Sequence, residues 1–169
     1  MRVPDLVRLY DYDSWANARL LAAVARLTPE EFVRPVAGSY GSVRNTLVHV
    51  MSAEWGWVER CGGHARGERL TPERYPTPAA LIAEWARVEG YARELLAGLT
   101  DDDLAREVAF SFGGPTSVAT VGALLQHAAL HAVHHRGQVA LLLRELGHAP
   151  GNFDMLYFAT EGGRTEGGR

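Results

Sequence analysis

Apolar side chains recur with a period of about 3.6 residues along four long stretches of the chain, which is the pattern of amphipathic helices. The first stretch runs from Pro4 to Leu27, and the second starts after Ser42 and ends at Gly62. The third starts after Thr77, and the fourth runs from about Thr120 to Gly147. Four amphipathic helices of this length predict an all-α protein built as a four-helix bundle.

Two shorter elements are predicted between these helices. Thr28-Pro29 is a helix-start signal and predicts a short extra helical turn. Between the third and fourth helices the apolar period falls to two, at Val108, Phe110 and Phe112, before the turn sequence Gly113-Gly114-Pro115. This pattern predicts a small β-hairpin, or at least an extended excursion, before the last long helix.

The C-terminal part of the chain divides into an apolar segment and a polar tail. The segment Pro150–Ala159 contains four bulky side chains, and we expect it to dock on the bundle as a short helix or ordered strap: Phe153, Leu156, Tyr157 and Phe158. The repeated Glu-Gly-Gly-Arg that follows has nothing to bury. We therefore expect one domain over residues 1–160 and a disordered tail over residues 161–169.

Charge and cysteine content narrow the classes of function. The 169 residues carry a formal net charge of −3, which gives no basic surface for nucleic acid. The single cysteine, Cys61, excludes an internal disulfide and fits a reducing compartment. The acidic N-terminal segment is not a secretory signal, and no apolar run is long enough to span a membrane. We expect a cytoplasmic protein, in which the charged stretch from Arg60 to Arg74 forms a solvated loop.

Two histidines of the fourth helix stand out because they lie within its apolar stripe. Leu124, Val139 and Leu146 belong to this stripe, and His131 and His135 fall inside it, one helical turn apart. A buried imidazole needs partners for both ring nitrogens, and two at this spacing can share a divalent metal ion. The alternative is that both are core histidines with hydrogen bonds to neighbouring helices.

His49, at the edge of the apolar face of the second helix, is the candidate for a third ligand, although a lone histidine there is more often structural. Three neutral imidazoles leave a coordination position open, as in catalytic zinc sites, and favour zinc or nickel over magnesium or calcium. Ala132 follows His131, so the glutamate of the metalloprotease motif is missing. The sequence therefore assigns no catalytic acid or base.

Asp13 and Asn17 fall near the centre of the apolar stripe of the first helix, where unpaired polar groups are unfavourable. They could line a cavity or orient a ligand histidine through a hydrogen bond. Equally, they could bind backbone groups or tyrosine side chains across the bundle.

Three segments of the chain resemble the DinB/YfiT-like family of metal-dependent enzymes: Tyr12–Leu20, Thr46–Trp57 and His127–Gly147. The most specific part is His131-x-x-x-His135-Arg136-Gly137-Gln138 at the observed distance after His49. The resemblance implies a four-helix bundle in up-down-down-up order and, in many members, a homodimer. It also implies a zinc or nickel site formed by His49, His131 and His135, the three residues that the stripe geometry selects.

Better-understood members of this family are thiol-dependent isomerases and transferases. The resemblance therefore implies a divalent-metal-dependent enzyme that activates a low-molecular-weight thiol, or water, against a small electrophilic substrate. Three alternatives stay open: a metal-dependent hydrolase, a non-catalytic bundle that binds a metal or ligand, and a purely structural or dimerising module. The name of the family refers to DNA damage, but the charge of this chain does not support DNA binding.

Overall fold

The computed structural model describes residues 1–64, 67, 69–111 and 114–161. Within these residues the chain forms six α-helices and one two-stranded antiparallel sheet. The helices are α1 (Val3–Val24), α2 (Pro29–Val33), α3 (Val43–Cys61), α4 (Pro78–Gly98), α5 (Val121–Glu145) and α6 (Met155–Glu161), and the strands are β1 (Glu107–Phe110) and β2 (Ser117–Thr120). The predicted all-α bundle with a small hairpin is confirmed.

Local capping explains where the helices begin and end. Ser42, Thr77 and Thr120 precede α3, α4 and α5, and each hydroxyl accepts a hydrogen bond from the backbone N–H three residues later. Gly147 follows α5 with a φ of +83°, which a glycine adopts without strain. The predicted end of the first helix at Leu27 is three residues too late, because α1 ends at Val24 and Leu27 is buried in the turn that follows.

The four long helices, α1, α3, α4 and α5, form the bundle, and contacts at two levels of each neighbouring pair give their directions. Helices α1 and α5 are joined by Tyr10–Leu125 and Asn17–Arg136. Helices α3 and α5 are joined by Cys61–Val121 and His49–His131. Helix α1 meets α4 at Asn17–Glu89 and the residues just after α4 at Val3–Asp101. Residue numbers rise together along α1 and α5, so these two helices are parallel. They rise in opposite directions along α3 and α5 and along α1 and α4, so each of these pairs is antiparallel. The helices therefore run up, down, down, up, as the resemblance implied.

The connection between α3 and α4 must travel back along the bundle, because these two helices run in the same direction. With a rise of about 1.5 Å per residue, a 19-residue helix is roughly 28 Å long, so a short turn cannot make this connection. Leu70 and Tyr75 of the connection are buried against the core. The expectation of a solvated loop is therefore wrong for Leu70, which lies within the Arg60–Arg74 stretch.

The hairpin and the C-terminal helix are smaller additions to the bundle. Strand β1 pairs antiparallel with β2, with Val108 opposite Ala119. Phe112 and Gly113 of the predicted hairpin lie outside the described residues. Helix α6 docks through Phe158, whose ring lies 5.8 Å from that of Tyr12.

Fewer side chains of the C-terminal segment pack against the bundle than its composition predicts. Phe153 packs against the core, whereas Leu156 and Tyr157 are exposed. Residues 162–169 of the predicted tail lie outside the described part of the chain. In the described part, no helix combines the length and apolar character needed to span a bilayer.

The centre of the bundle contains a buried polar cluster. Arg136, only 2% exposed, donates from Nη1 to Asp13 and to Asn17 Oδ1. Asn17 Nδ2 donates in turn to Asp13 Oδ2 and to Glu89 Oε1, at 3.0 and 3.2 Å. Glu54 of α3 is 4% exposed, and burial, together with the nearby carboxyl groups, raises its pKa well above the usual value. We therefore expect the Glu54 carboxyl to be protonated at neutral pH.

Replacing this buried acid tests its protonation state. The raised pKa means that the folded chain keeps a proton that the unfolded chain releases, so stability falls as pH rises above about 4.3. The Glu54→Gln variant keeps the shape and cannot ionise. We expect thermal unfolding of the metal-free protein to give a higher Tm for Glu54→Gln than for the parent protein, with a larger difference at pH 8 than at pH 5. Each kcal/mol of stability corresponds to about 2–4 °C in Tm.

The control is Glu94→Gln, at an exposed position of α4, which should follow the parent protein at both pH values. An advantage of Glu54→Gln that is equal at pH 5 and pH 8 would contradict the assignment of a protonated Glu54.

Candidate metal centre

Three histidines converge between α3 and α5. His131 Nε2 lies 3.0 Å from His49 Nε2 and 3.1 Å from His135 Nε2, and ligand atoms of all three lie within 4.8 Å of one another. Ligands that share one first-row ion at about 2.0–2.1 Å are themselves about 3 Å apart. The three histidines that the sequence selected could therefore hold a metal ion; that they do so stays a prediction.

The protonation of the cluster suits a metal ion. Burial lowers the pKa of His49 and of His131 to about 4, with the charges of neighbouring histidines acting in the same direction. Burial also lowers the pKa of His135, against an opposing effect of its hydrogen bond to Gln138. The imidazoles are therefore neutral at pH 7, and a neutral imidazole presents one nitrogen lone pair to a metal.

Gln138 determines which nitrogen of His135 faces the cluster. His135 Nδ1 lies 2.7 Å from Gln138 Oε1, and because an amide oxygen can only accept, the proton is on Nδ1. His135 Nε2 is therefore unprotonated and faces His131. Ser39 Oγ also donates to Gln138 Oε1, at 2.8 Å, which holds the amide in place. Such hydrogen bonds behind a ligand fix its orientation and raise its basicity.

A tight turn before α3 places Tyr40 against the cluster. Gly38 and Gly41 adopt φ values of +89° and +84° on either side of it. The Tyr40 ring stacks on the imidazole of His49, with centroids 3.9 Å apart, and Tyr40 Oη lies 2.9 Å from His49 Nε2. A phenol hydroxyl is thus present at the edge of the candidate metal position.

Known proteins share both the sequence pattern and the fold. The sequence profile of the DinB family matches residues 1–166. The chain belongs to the DinB family. Protein DinB of Bacillus subtilis (strain 168) is 24% identical over 164 residues, which covers 91% of this chain and 94% of that protein.

Two solved structures show the same architecture as this DinB family member. A DinB-like protein from Bacillus cereus ATCC 10987 superposes with a TM-score of 0.73 at 19% identity, covering 89% of this chain and 97% of that one. A conserved protein from Enterococcus faecalis superposes with a TM-score of 0.65 at 17% identity, covering 85% and 96%. At these identities the likeness supports the fold and not a particular reaction.

Asp13 and Asn17 are brought to the bundle centre and not to the candidate metal position of this DinB family chain. Their hydrogen bonds go to each other, to Glu89 and to Arg136, the residue that follows His135. Neither lines the cavity described below. An influence on the metal ligands would therefore pass through Arg136, and this role stays a prediction.

A cavity of about 630 Å³ opens beside the histidines. It is bounded by α3, by the connection between α3 and α4, and by the His127–His131 turn of α5. The described residues around it are Tyr40, Asn45, Val48, His49, Ser52, Ala53, Gly56, Trp57, Arg60, Arg69, Leu70, Thr71, Pro72, Glu73, His127 and His131. Its volume is typical of sites that bind small molecules.

Sequence reasoning found the three histidines but missed the role of two residues that contact them. Gln138 lies three positions after His135, and side chains at this spacing share a helix face, so its position gave a usable signal. Tyr40 is on a non-helical turn, and its contact with His49 depends on the glycine conformations around it. The sequence alone carried no periodic signal for that contact.

The role of Gln138 can be tested by metal affinity. In Gln138→Ala, His135 loses its Nδ1 acceptor, and the affinity for Zn²⁺ should fall by about 10- to 100-fold. The Gln138→Glu variant keeps an acceptor and should retain the parent affinity or exceed it. Competition with a chromophoric chelator measures these constants.

Gln126→Ala, on an exposed position of the same helix, is the matched control and should bind Zn²⁺ as the parent does. Equal affinities for Gln138→Ala and Gln126→Ala would show that the amide does not orient a ligand.

Proposed function

We propose that this protein is a divalent-metal-dependent enzyme that activates a low-molecular-weight thiol against a small electrophilic substrate. The observation that carries this proposal is the convergence of three neutral imidazoles beside a cavity of small-molecule size. Their nitrogen donors suit zinc or nickel. An ion held by three neutral ligands keeps its full charge and an open position, so it would lower the pKa of a thiol that binds there.

The all-nitrogen donor set of the cluster is compatible with a metal-bound thiol as the nucleophile. Among the described residues, the group of potential ligands consists of His49, His131 and His135 alone. A thiol that binds a metal ion ionises outright, so it needs no separate general base.

The thiol must come from solution, because the protein's own cysteine does not reach the site. Cys61 is buried at the far end of α3, and burial raises its pKa to about 11. It lies 12 positions after His49, which is roughly 18 Å along a helix axis. We therefore propose a cytoplasmic enzyme, since low-molecular-weight thiols are kept reduced there.

Tyr40 supplies a hydroxyl proton at the edge of the cluster. In the structure, Tyr40 Oη is within hydrogen-bond distance of His49 Nε2, the nitrogen that a metal would engage. If that nitrogen bound a metal ion, the Tyr40 hydroxyl would be released to hydrogen-bond another group in the site. It can then donate a hydrogen bond to an anionic nucleophile, and such charge-assisted bonds are stronger than neutral ones.

Metal retention and product analysis test the proposal. Native purification should yield a stoichiometric divalent metal, and His135→Ala should lose it, whereas His134→Ala, the exposed neighbouring histidine, should retain it. Loaded with Co²⁺, the protein should show a sulfur-to-cobalt charge-transfer band with 2-mercaptoethanol. The metal-loaded protein should accelerate thioether formation between a thiol and 1-chloro-2,4-dinitrobenzene.

Retention of metal by His135→Ala would contradict the ligand assignment. Metal-dependent products that form without thiol would indicate a hydrolase. Metal binding with no turnover for any thiol and electrophile, together with a ligand-dependent rise in Tm, would indicate a binding protein.

We further propose a homodimer that forms through the outer face of α5. Leu130 and Leu141 are 53% and 56% exposed there, and Val133 lies on the same face. Exposed apolar side chains grouped on one helix are typical of interaction surfaces. Light scattering after gel filtration should give a dimer for the parent protein and a monomer for Leu141→Glu.

Leu156→Glu, at an exposed leucine of α6, is the matched control and should stay dimeric. A monomeric parent protein, or a dimer that persists in Leu141→Glu, would contradict the proposed interface.

A further inference from the structure

We propose that Arg136 is a positioning residue for the candidate metal centre and acts through the rotation of α5 about its axis. Its buried contacts with α1 hold the turn of α5 that carries His131 and His135, so that both imidazoles reach the ion bound by His49. This inference rests on the metal site of the proposed function. It is independent of the thiol chemistry, because the experiment below measures metal binding without a thiol.

The contact between Arg136 and α1 is directional and closed to solvent. Arg136 Nη1 donates to Asp13 and, at 2.7 Å, to Asn17 Oδ1, and the three side chains belong to residues that are 2%, 3% and 1% exposed. The guanidinium carbon also lies 5.5 Å from the centroid of the Tyr12 ring. Hydrogen bonds restrict distance and angle, whereas apolar packing is non-directional. The contact therefore specifies an orientation of α5 against α1.

The α1 side of this contact is itself fixed to α4. Asn17 Nδ2 donates to Asp13 Oδ2 at 3.0 Å and to Glu89 Oε1 of α4 at 3.2 Å. Trp85 Nε1 donates to the same Glu89 oxygen, at 3.2 Å. The groups that accept from Arg136 thus belong to two helices that are joined to each other. The rotation of α5 is consequently set by α1 and α4, which carry none of the three histidines.

A small rotation of α5 would separate the metal ligands. His135 directly precedes Arg136, and neighbouring residues of a helix point about 100° apart, so the two side chains face different helices but turn together. Side chains end about 5–6 Å from a helix axis, so a rotation of about 10° moves a ring nitrogen by roughly 1 Å. Ligand distances in metal sites vary by only about 0.2 Å. The rotation must therefore be set closely for His131 and His135 to share an ion with His49.

This role differs from that of Gln138. Gln138 fixes the tautomer and the ring orientation of His135 from a position on the same helix. Arg136 fixes the helix itself, so its loss displaces His131 as well as His135. A change at two ligands alters the geometry around the ion, and the visible d–d bands of Co²⁺ report that geometry.

The test removes the ion pair without leaving a buried charge unpaired. In Asp13→Leu/Arg136→Met both partners become apolar residues, an exchange that often leaves stability unchanged or raises it. We expect the double variant to fold and to bind Zn²⁺ about tenfold more weakly than the parent protein, as for other residues that orient metal ligands. Competition with a chromophoric chelator, at a temperature well below both Tm values, measures the affinity of the folded chains. The d–d bands of bound Co²⁺ should differ from those of the parent.

Arg136→Lys provides a second variant, which decides the question if the double variant does not fold. Lysine keeps the positive charge beside Asp13 but has a shorter side chain and lacks the rigid guanidinium plane. It therefore cannot hold α5 at the same rotation. We expect a folded protein whose Zn²⁺ affinity lies between those of the parent and the double variant. A parent-like affinity of Arg136→Lys, when the double variant does not fold or also binds as the parent does, would overturn the inference.

Glu84→Leu/Arg87→Met is the matched control, because it removes a partly exposed ion pair of α4. This variant should bind Zn²⁺ as the parent protein does and leave the Co²⁺ bands unchanged. Equal losses of affinity in the two double variants would overturn the inference, since the effect would then not be specific to the contact with α1.

The positioning role and the proposed function fail in different ways. A parent protein that binds Zn²⁺ while Asp13→Leu/Arg136→Met keeps its affinity and its Co²⁺ bands overturns the positioning role alone. A parent protein that binds no Zn²⁺ overturns both. Weaker Zn²⁺ binding by the double variant, together with no sulfur-to-cobalt band for any thiol, supports the positioning role and overturns the thiol chemistry.

Discussion

The buried ion pair between Asp13 and Arg136 fixes the rotation of α5 against α1. Two charged groups this deeply buried are tolerable only when they are paired and further hydrogen-bonded, which Asn17 provides. Arg136 directly follows His135, and successive residues of a helix point about 100° apart. When Arg136 points to the bundle centre and α1, His135 is turned towards α3. The position of the candidate metal ligands therefore depends on an interaction on another side of the helix.

Local chemistry made much of the fold predictable. Helix starts at Ser42, Thr77 and Thr120 follow from hydroxyl caps, and the end of α5 follows from Gly147, because each acts within a few residues. The directions of the helices are different, since they depend on contacts between residues far apart in the chain. Periodicity does not encode them, and only the resemblance to a known family implied the up-down-down-up order.

The same distinction explains which parts of the site could be predicted. His131 and His135 were identifiable because both interrupt one apolar stripe, and His49 because two imidazoles needed a third partner. Tyr40 and Arg69 could not be found in this way. They lie on non-helical segments, and their position depends on how the connections cross the bundle. The long connection after α3 was expected to be solvated, although Leu70 anchors it to the core.

The buried acidic residues at the bundle centre contribute little net negative charge to the neighbouring cavity. Burial raises the pKa of Glu54 and of Glu89, which favours their neutral forms, and the charge of Asp13 is balanced by Arg136. The bundle centre therefore adds little negative charge beside the candidate metal ligands. A cation held by neutral histidines would keep its full charge, because none of its candidate ligands carries a negative charge. A cation bound there would thus attract an anionic nucleophile such as a thiolate.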